Sequence, residues 1–314
     1  MLYVISPISN PIRFSKRYEL FRKFQAYLAK NSFVKLITVE LAFGERPFAV
    51  TEKNNPDHIQ LRTREEIWHK ENMINVGIQY LRQIYPDAKY VAWVDGDVSF
   101  SKPDWAEETV QQLQHFDFVQ MFRTAHDLGP NDEMIATHIG FGYSFWNQLQ
   151  IGKAYCYAGK WHPGFAWAAR IDALDKVGNL IDFAILGAGD SHMAMGLIGK
   201  IDTISSSGKA SIISSAYLNA LIRWQTLASR HIKKNIGYVD GSLFHYWHGK
   251  KRDRKYLERW KVLIDNKFDP TTDLKRDTQG LYVLEDNCNG RFISLRDGIR
   301  KYFRARNEDS IDLE

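Results

Sequence analysis

Two aspartates at the end of a short apolar run are the residues best placed to do chemistry. The run Tyr90–Val94 is followed directly by Asp95, Gly96 and Asp97. In an extended chain, positions i and i+2 point to one side, so both carboxylates can address one ligand, and Gly96 lets it approach the backbone. Carboxylates with phosphate oxygens and water are the usual ligands of Mg²⁺ or Mn²⁺. The alternative interpretation is a solvated turn that carries two acids.

Histidines late in the chain are candidates to complete a metal site. The two cysteines, Cys156 and Cys288, are far apart and form no C-x-x-C motif, so a metal must use aspartate and histidine. His245 and His248 are three residues apart and point to opposite faces if a strand continues through them. His248, which precedes Gly249, is the favoured ligand, and a core or surface histidine is the alternative for each.

Asp190 is the candidate general base. It follows a Gly-Ala-Gly run that ends at Gly189 and opens a predicted helix, where aspartate is also a good N-cap. Both roles are compatible, because a carboxylate fixed at a loop–helix junction can still face a cleft. There it would take the proton from an acceptor hydroxyl, provided that partial burial raises its pKa.

Aromatic and basic residues supply candidate binding groups. Trp161 and His162 belong to a dense cluster at residues 161–167, and flat indole faces suit the apolar faces of sugars. We therefore assign the cluster to a sugar and acceptor cleft, with core packing as the alternative. Lys70, Arg13 and Arg62 are candidates for pairing with phosphates, although each is also compatible with a solvated surface charge.

Two basic patches lie near the carboxyl terminus. Residues 250–261 contain seven basic and two acidic residues, and five more basic residues follow between 296 and 306. Such clusters can track the phosphates of a nucleic acid, so DNA, including DNA with a hydroxymethylated base, is a candidate binding partner. A solvated helical face is the alternative.

The elements that must position these residues alternate between strand and helix. Residues 2–8, 33–43, Tyr90–Val94 and 116–122 are predicted strands, separated by predicted helices, one of them behind a capping box at residues 63–66. This order predicts an α/β fold with a mostly parallel, doubly wound sheet. The later predicted elements include a strand at 165–169, a long helix over 210–234 and a strand over 238–248.

Composition narrows the class of protein further. Hydrophobic residues make up 44% of the 314 residues and charged residues 25%, which excludes a disordered or collagen-like chain. No apolar run approaches the ~20 residues of a membrane helix, and no signal peptide is evident, so we expect a cytoplasmic protein. We expect one catalytic domain over residues 1–266 and a basic, α-rich C-terminal extension over 267–314.

In this order, the motifs resemble those of GT-A glycosyltransferases, with D-G-D as the D-x-D motif. Residues 6–13 resemble the first-strand loop that receives the nucleotide, and residues 69–77 are similar to the helix before D-x-D in β-galactosyltransferases. Residues 186–190 resemble the glycine-rich loop with its acceptor-side carboxylate, although Gly189 stands where an acid is common. Residues 243–249 resemble the late metal-binding histidine segment. The chain also resembles glycosyltransferase-like proteins of bacteriophages and bacteria.

The resemblance implies metal-dependent transfer of a sugar from a nucleotide-sugar, expected to be a UDP-sugar, to a hydroxyl of DNA or a surface glycan, with inversion. A metal that bridges the diphosphate would stabilise the leaving group by several kcal/mol. Asp97 is the first expected ligand of Mn²⁺ or Mg²⁺, and Asp95 orients the ribose or completes the metal shell through water. The other donor-binding residues expected from these segments are Pro7, Asn10, Arg13, Lys70, Asn75 and Gly189.

Two other functions remain open at this point. A sugar-nucleotide pyrophosphorylase would normally carry a glycine-rich phosphate loop after the first strand, and residues 6–13 contain no glycine. A non-catalytic module that binds nucleic acid or glycan would keep the fold without turnover.

Overall fold

A computed structural model describes residues 1–148, 161–202, 214–256, 258–285 and 290–313. Cys156 and Cys288 both lie outside these ranges. The strands are β1 (Leu2–Ser9), β2 (Val34–Phe43), β3 (His58–Thr63), β4 (Tyr90–Val94), β5 (Val98–Phe100), β6 (Phe118–Gln120), β7 (Thr124–Leu128), β8 (Met134–Ile139), β9 (Ala166–Arg170), β10 (Ile236–Tyr238), β11 (Ser242–His245), β12 (Leu274–Arg276) and β13 (Tyr282–Leu284).

Helices cover the faces of these strands. They are α1 (Ser15–Leu28), α2 (Lys70–Ile84), α3 (Trp105–Gln112), α4 (Phe141–Trp146), α5 (Ile171–Val177), α6 (Gly189–Leu197), α7 (Ser215–His231), α8 (Trp260–Asp265) and α9 (Gly290–Ala305). A short 3₁₀ turn, Lys251–Arg254, precedes α8.

A seven-stranded sheet in the order β10-β6-β9-β4-β1-β2-β3 forms the centre of the molecule. Its pairs are parallel except that β9 runs antiparallel to both β4 and β6. The predicted α/β class and mostly parallel sheet are therefore confirmed. Because β9 is reversed, the loop that enters it lies at the same edge as the carboxyl ends of β1 and β4.

Strand alternation divides the core into two layers. Ile5 of β1 and Trp93 of β4 point into one apolar cluster, and Val4 and Val94 point into the other. Helix α2 packs closely on the first face, because a Cβ at Gly77 would lie 2.8 Å from Ile5 Cγ2. The central sheet therefore holds the end of β4 rigidly between two apolar layers.

A second sheet, in the order β5-β11-β7-β8, brings distant residues to the end of β4. β5 begins directly after the D-G-D segment and pairs antiparallel with β11, so that Val98 lies opposite His245. The N–H of Tyr246 donates to the carbonyl of Asp97 at 2.9 Å. This pairing carries the late histidines to the aspartates.

Several local predictions differ from the structure. The capping box is not formed: Thr63 ends β3, and α2 begins only at Lys70. The predicted strand over 238–248 is two short strands, β10 and β11, in different sheets. The predicted helix over 210–234 is shorter, as α7 begins at Ser215, and residues 210–213 lie outside the described ranges.

The C-terminal segment shares the core of the larger sheet. Phe292, Leu295 and Ile299 of α9 belong to the same apolar cluster as Ile5 and Trp93. The domain boundary at residue 266 stays a prediction. In the described part of the chain, no helix combines the length and apolar character needed to cross a membrane.

Candidate functional site

A cavity of about 500 Å³ lies at the carboxyl ends of β1 and β4. Ligands of open α/β sheets bind at this edge. Its walls come from the loop after β1, the first turn of α2, the D-G-D segment, the loop before β9, the start of α6, the end of β11 and the C-terminal segment. The predicted residues that line it are Pro7, Asn10, Lys70, Asp95, Asp97, His162, Asp190, His245 and His248.

Asp97, His245 and His248 form a cluster with metal-binding geometry. Their three potential ligand atoms all lie within 4.8 Å of one another. Asp97 Oδ2 is 3.0 Å from His248 Nε2 and 3.9 Å from His245 Nε2, and the two Nε2 atoms are 3.2 Å apart. Both histidines reach one point because β11 ends at His245, so strand alternation no longer separates them.

The chemistry of the three side chains fits a divalent cation. Asp97 Oδ1 is buried and has no hydrogen-bond partner among the described residues. Burial works to raise the pKa of Asp97, but His248 and His245 outweigh it and hold that pKa below its ordinary value. Asp97 is therefore an anion, and the Nε2 atoms of both histidines lie next to it.

Asp127 fixes the orientation of His245. Its Oδ1 lies 2.8 Å from His245 Nδ1, and its Oδ2 lies 2.5 Å from His138 Nε2 and contacts the ammonium of Lys251. Burial lowers the pKa of His245, against the opposite effect of Asp127, so the ring is neutral near pH 7. With Nδ1–H donated to Asp127, Nε2 carries the lone pair, which is the usual carboxylate–histidine–metal arrangement.

Asp95 lies beside the metal cluster and is paired with a lysine. Lys70 Nζ is 2.5 Å from Asp95 Oδ1, and both side chains line the cavity. Burial works to lower the pKa of Lys70, but Asp95 and Glu71 raise it above its ordinary value, so the lysine stays charged. No Cβ fits at Gly96, because it would lie 2.2 Å from the ring of Phe21.

Two further acids, Asp190 and Glu71, line the cavity. Asp190 lies in the first turn of α6, and its Oδ1 accepts the N–H of Ser191 at 2.7 Å. Glu71, in the first turn of α2, is 7% exposed and accepts the indole N–H of Trp68 at 3.2 Å. Burial raises the pKa of Glu71 to about 7, helped by Asp190 and opposed by Lys70.

Basic side chains form the remaining wall. Four residues of the first basic patch line the cavity: Arg254 and Arg259 are buried, whereas Lys251 and Arg252 are exposed. Arg254 is 8% exposed, and its Nε has no hydrogen-bond partner in the described part of the chain. Buried cations are costly unless an anion accompanies them, so this wall favours an anionic ligand. The basic residues that line the cavity are Arg17, Lys70, Lys251, Arg252, Arg254, Arg259 and Arg306.

Residues 306–310, which we call the C-terminal strap, close the cavity near the metal cluster. Glu308 forms ion pairs with Arg17 at 2.9 Å and with Arg306 at 2.5 Å. Asp309 accepts the N–H groups of Ser15 and Lys16 at the start of α1, where a carboxylate is favoured by the helix dipole. Arg306 lies over the ring of Trp68, 5.2 Å from its centroid. The strap therefore links α1 to the cavity wall.

Some predicted residues do not reach the main cavity. Arg13 is exposed, and Arg62 donates to backbone carbonyls of residues 44 and 46. Asn75 donates to Leu180 O at 3.0 Å and to Asp182 at 2.9 Å. Trp161 is 3% exposed and packs against Phe141, as in the core-packing alternative. Gly189 lines a small cavity next to the main one.

Sequence reasoning missed four residues of the site, Glu71, Arg17, Asp127 and Glu308, and assigned Arg306 to the second basic patch rather than to this cavity. Glu71 lies within residues 69–77, which resemble the helix before D-x-D. A single acid in the first turn of a helix is common, so it does not by itself indicate a functional site. Asp127, Arg306 and Glu308 reach the site only through sheet pairing and the path of the strap. Asp127 lies five residues beyond the predicted strand 116–122, and a lone aspartate there gives no local signal of a site.

No protein-family model and no curated protein matches the chain. Among solved structures, the catalytic domain of Drosophila β1,4-galactosyltransferase 7 with xylobiose is 12% identical, with a TM-score of 0.41, and the match covers 93% of this chain and 98% of that chain. A point mutant of the Drosophila enzyme with manganese, UDP-Gal and xylobiose has the same TM-score and coverage at 11% identity. A protein from Desulfovibrio desulfuricans, described as a nucleotide-diphospho-sugar transferase, is 10% identical with a TM-score of 0.32, covering 96% and 97%. All three structures are of proteins named as sugar transferases, the class whose motifs this sequence resembles. Because their TM-scores are all below 0.5, these matches assign no activity to this chain.

Proposed function

We propose that the protein is a metal-dependent glycosyltransferase that uses a nucleotide-sugar donor. The observation that carries this proposal is the Asp97–His245–His248 cluster facing a wall of arginines in one cavity. A cation and several guanidinium groups around one space suit a diphosphate, because both neutralise its oxygens. Asp95 and Asn10 border the same space, where a ribose and a base would continue from the diphosphate.

Asp97, His245 and His248 are the proposed metal ligands. Two imidazoles favour Mn²⁺ over Mg²⁺, because Mg²⁺ takes oxygen ligands almost exclusively. When bound, the cation stabilises the negative charge that develops on the departing diphosphate. Arg17 and Arg254, which line the same cavity, are the proposed partners of the phosphate oxygens. Asp127 holds the His245 ring throughout.

Asp190 is the proposed general base. Its carboxylate lines the same cavity as the D-G-D segment and lies beside Gly164, in the loop that carries His162. In this role it takes the proton of an acceptor hydroxyl while that oxygen attacks the anomeric carbon. Attack from the side opposite the diphosphate inverts the anomeric centre.

We propose a UDP-hexose as donor and a glycan as acceptor. Much of the first basic patch faces the cavity, and two members of the second are paired: Arg296 with Glu65 at 3.0 Å and Arg300 with Glu66 at 2.9 Å. These pairings leave less free positive charge for DNA, so hydroxymethylated DNA is the second acceptor to test. His162, stacked on Phe165 with centroids 3.9 Å apart, offers a flat surface for a sugar.

Release of nucleoside diphosphate from a panel of UDP-sugars with Mn²⁺ tests the function. Water serves as the first acceptor, followed by free saccharides and by plain and hydroxymethylated DNA. We expect slow donor hydrolysis with Mn²⁺ and none with EDTA. Binding of UDP-sugar without any turnover would indicate a non-catalytic module instead.

Asp97→Ala tests the site independently of turnover. We expect loss of donor hydrolysis and a fall in Mn²⁺ affinity, measured by calorimetry, beyond the roughly 10- to 100-fold typical of outer-shell changes. Asp87→Ala, at an exposed loop position, is the matched control and should bind Mn²⁺ normally. Normal Mn²⁺ binding by Asp97→Ala would exclude this cluster as the metal site.

A further inference from the structure

Glu71 is a buried acid to which the proposed reaction gives no role. It is 7% exposed, and it lines both the main cavity and the small cavity beside it. Lys70, Asp190 and Gly164 also border both spaces. Glu71 therefore faces the base proposed for the reaction from the neighbouring helix.

Two glycines make room for the two acids. A Cβ at Gly189 would lie 2.6 Å from Glu71 Cδ and 2.8 Å from its Oε1. A Cβ at Gly164 would lie 2.5 Å from Asp190 Oδ2. Neither glycine has a positive φ that would require it, so each is explained by the carboxyl group seated against it. Any larger residue at position 189 would displace Glu71.

Other buried acids in the protein are held differently. Glu40 accepts the N–H groups of Ala49 and Val50 and the hydroxyl of Thr51, at 2.5, 3.0 and 2.6 Å. Such a carboxylate has its oxygens occupied by hydrogen bonds and serves the fold. Glu71, in contrast, accepts one side-chain hydrogen bond, from Trp68, and borders open space. Its surroundings suit a group that exchanges a proton.

We propose that Glu71 is the proton relay of the acceptor site, which receives from Asp190 the proton of the attacking hydroxyl. The inference rests on the proposed sugar transfer. In that step the acceptor O–H bond breaks and its proton moves to the Asp190 carboxylate, the acceptor oxygen bonds to the anomeric carbon, and the bond to the diphosphate breaks with its electron pair. The proton then passes to the Glu71 carboxylate, so Asp190 is again basic, and Glu71 later releases it to water.

A titration near neutral pH supports this direction of transfer. The raised pKa of Glu71, about 7, allows this carboxyl to hold a proton near neutral pH. The groups that face it are Lys70, which favours the anion, and Asp190 and Asp95, which disfavour it. Glu71 must be deprotonated before it can accept a proton from Asp190. The rate of sugar transfer should therefore fall as the pH drops below about 7.

Glu71→Gln tests the relay, because it keeps the shape and removes the exchangeable proton. The assay is the pH dependence of UDP release from the donor that the wild type cleaves, with saturating Mn²⁺ and water as acceptor. We expect kcat to fall about tenfold or more and the limb near pH 7 to disappear, with Mn²⁺ and UDP affinities unchanged. Glu66→Gln, at an ion-paired position outside the cavity, is the control and should keep the wild-type profile.

Moving the carboxyl provides a second test. Because the Cβ position of residue 189 lies so near Glu71 Cδ, the pair Glu71→Ala and Gly189→Asp returns a carboxyl to the same space from α6. We expect the double variant to be at least several-fold more active than Glu71→Ala alone. A structural role for Glu71 predicts no such rescue.

The outcomes separate the two proposals. A wild type that cleaves no donor overturns both the transferase and the relay. An active wild type whose rate and pH profile are unchanged by Glu71→Gln overturns the relay alone. An active wild type with a lost pH limb in Glu71→Gln and rescue in the double variant supports both.

Discussion

Replacing Glu71 by glutamine should stabilise the folded protein, by an amount that depends on pH. Burial raises the pKa of this carboxyl from its ordinary value of 4.5 to about 7. Between pH 4.5 and 7, Glu71 keeps a proton in the folded protein that it has lost in the unfolded chain. The stability that depends on this protonated carboxyl is therefore fully present below pH 4.5 and is lost as the pH rises through 7. Glutamine resembles the protonated form and loses nothing over this range.

The size of the effect follows from the same two pKa values. Their difference corresponds to about 3 kcal/mol, since one pKa unit is worth about 1.4 kcal/mol. The variant should therefore match the wild type at pH 4.5 and exceed it by about 3 kcal/mol at pH 8. For a chain of this length, an entropy of unfolding of ~2 cal/mol/K per residue converts this to a Tm higher by roughly 4–5 °C.

Thermal unfolding at several pH values, with EDTA present to remove metal ions, measures the difference. Glu40→Gln is the matched control: it should lower Tm throughout, because it weakens three charge-assisted hydrogen bonds. A Tm difference for Glu71→Gln that stays constant from pH 4.5 to 8 would refute the argument that burial of this carboxyl is costly. A stabilised variant with impaired turnover would identify Glu71 as a residue kept for activity at the expense of stability.

Two further substitutions test how the metal cluster is positioned. Asp127→Asn should lower Mn²⁺ affinity about 10- to 100-fold in calorimetry, because the Nδ1–H of His245 loses its carboxylate; an unchanged affinity would contradict that orienting role. Gly96→Ala should destabilise the protein by about 1–3 kcal/mol in urea unfolding and weaken Mn²⁺ binding, because the added methyl overlaps Phe21 and displaces Asp97. A wild-type unfolding midpoint for this variant would show that the ring of Phe21 has room to move.

The central sheet and the place of the aspartates could be predicted because their signals are local. Tyr90–Val94 is an apolar run with acids at its end, and a buried parallel strand must present whatever follows it at the carboxyl edge of the sheet. The apolar runs at residues 2–8 and 33–43 predicted β1 and β2 of the same sheet in the same way.

The rest depends on contacts between distant segments. His245 and His248 meet at one point because β11 ends at His245 and pairs with β5. A spacing of three residues in the sequence reveals neither of these features. Glu71 acquires its surroundings from a glycine on another helix. Short strands such as β7 and β8 were missed because five or six residues with mixed polarity give no clear period.

The C-terminal strap bears on when the protein becomes competent during its synthesis. Arg306 and Glu308 complete the wall around the aspartate–histidine cluster, and Asp309 is bound to the start of α1. A nascent chain that has released the D-G-D segment from the ribosome, but not yet the strap, therefore has an unfinished cavity. Translation must pass residue 308 before this wall can close, so incomplete chains should lack the finished cavity.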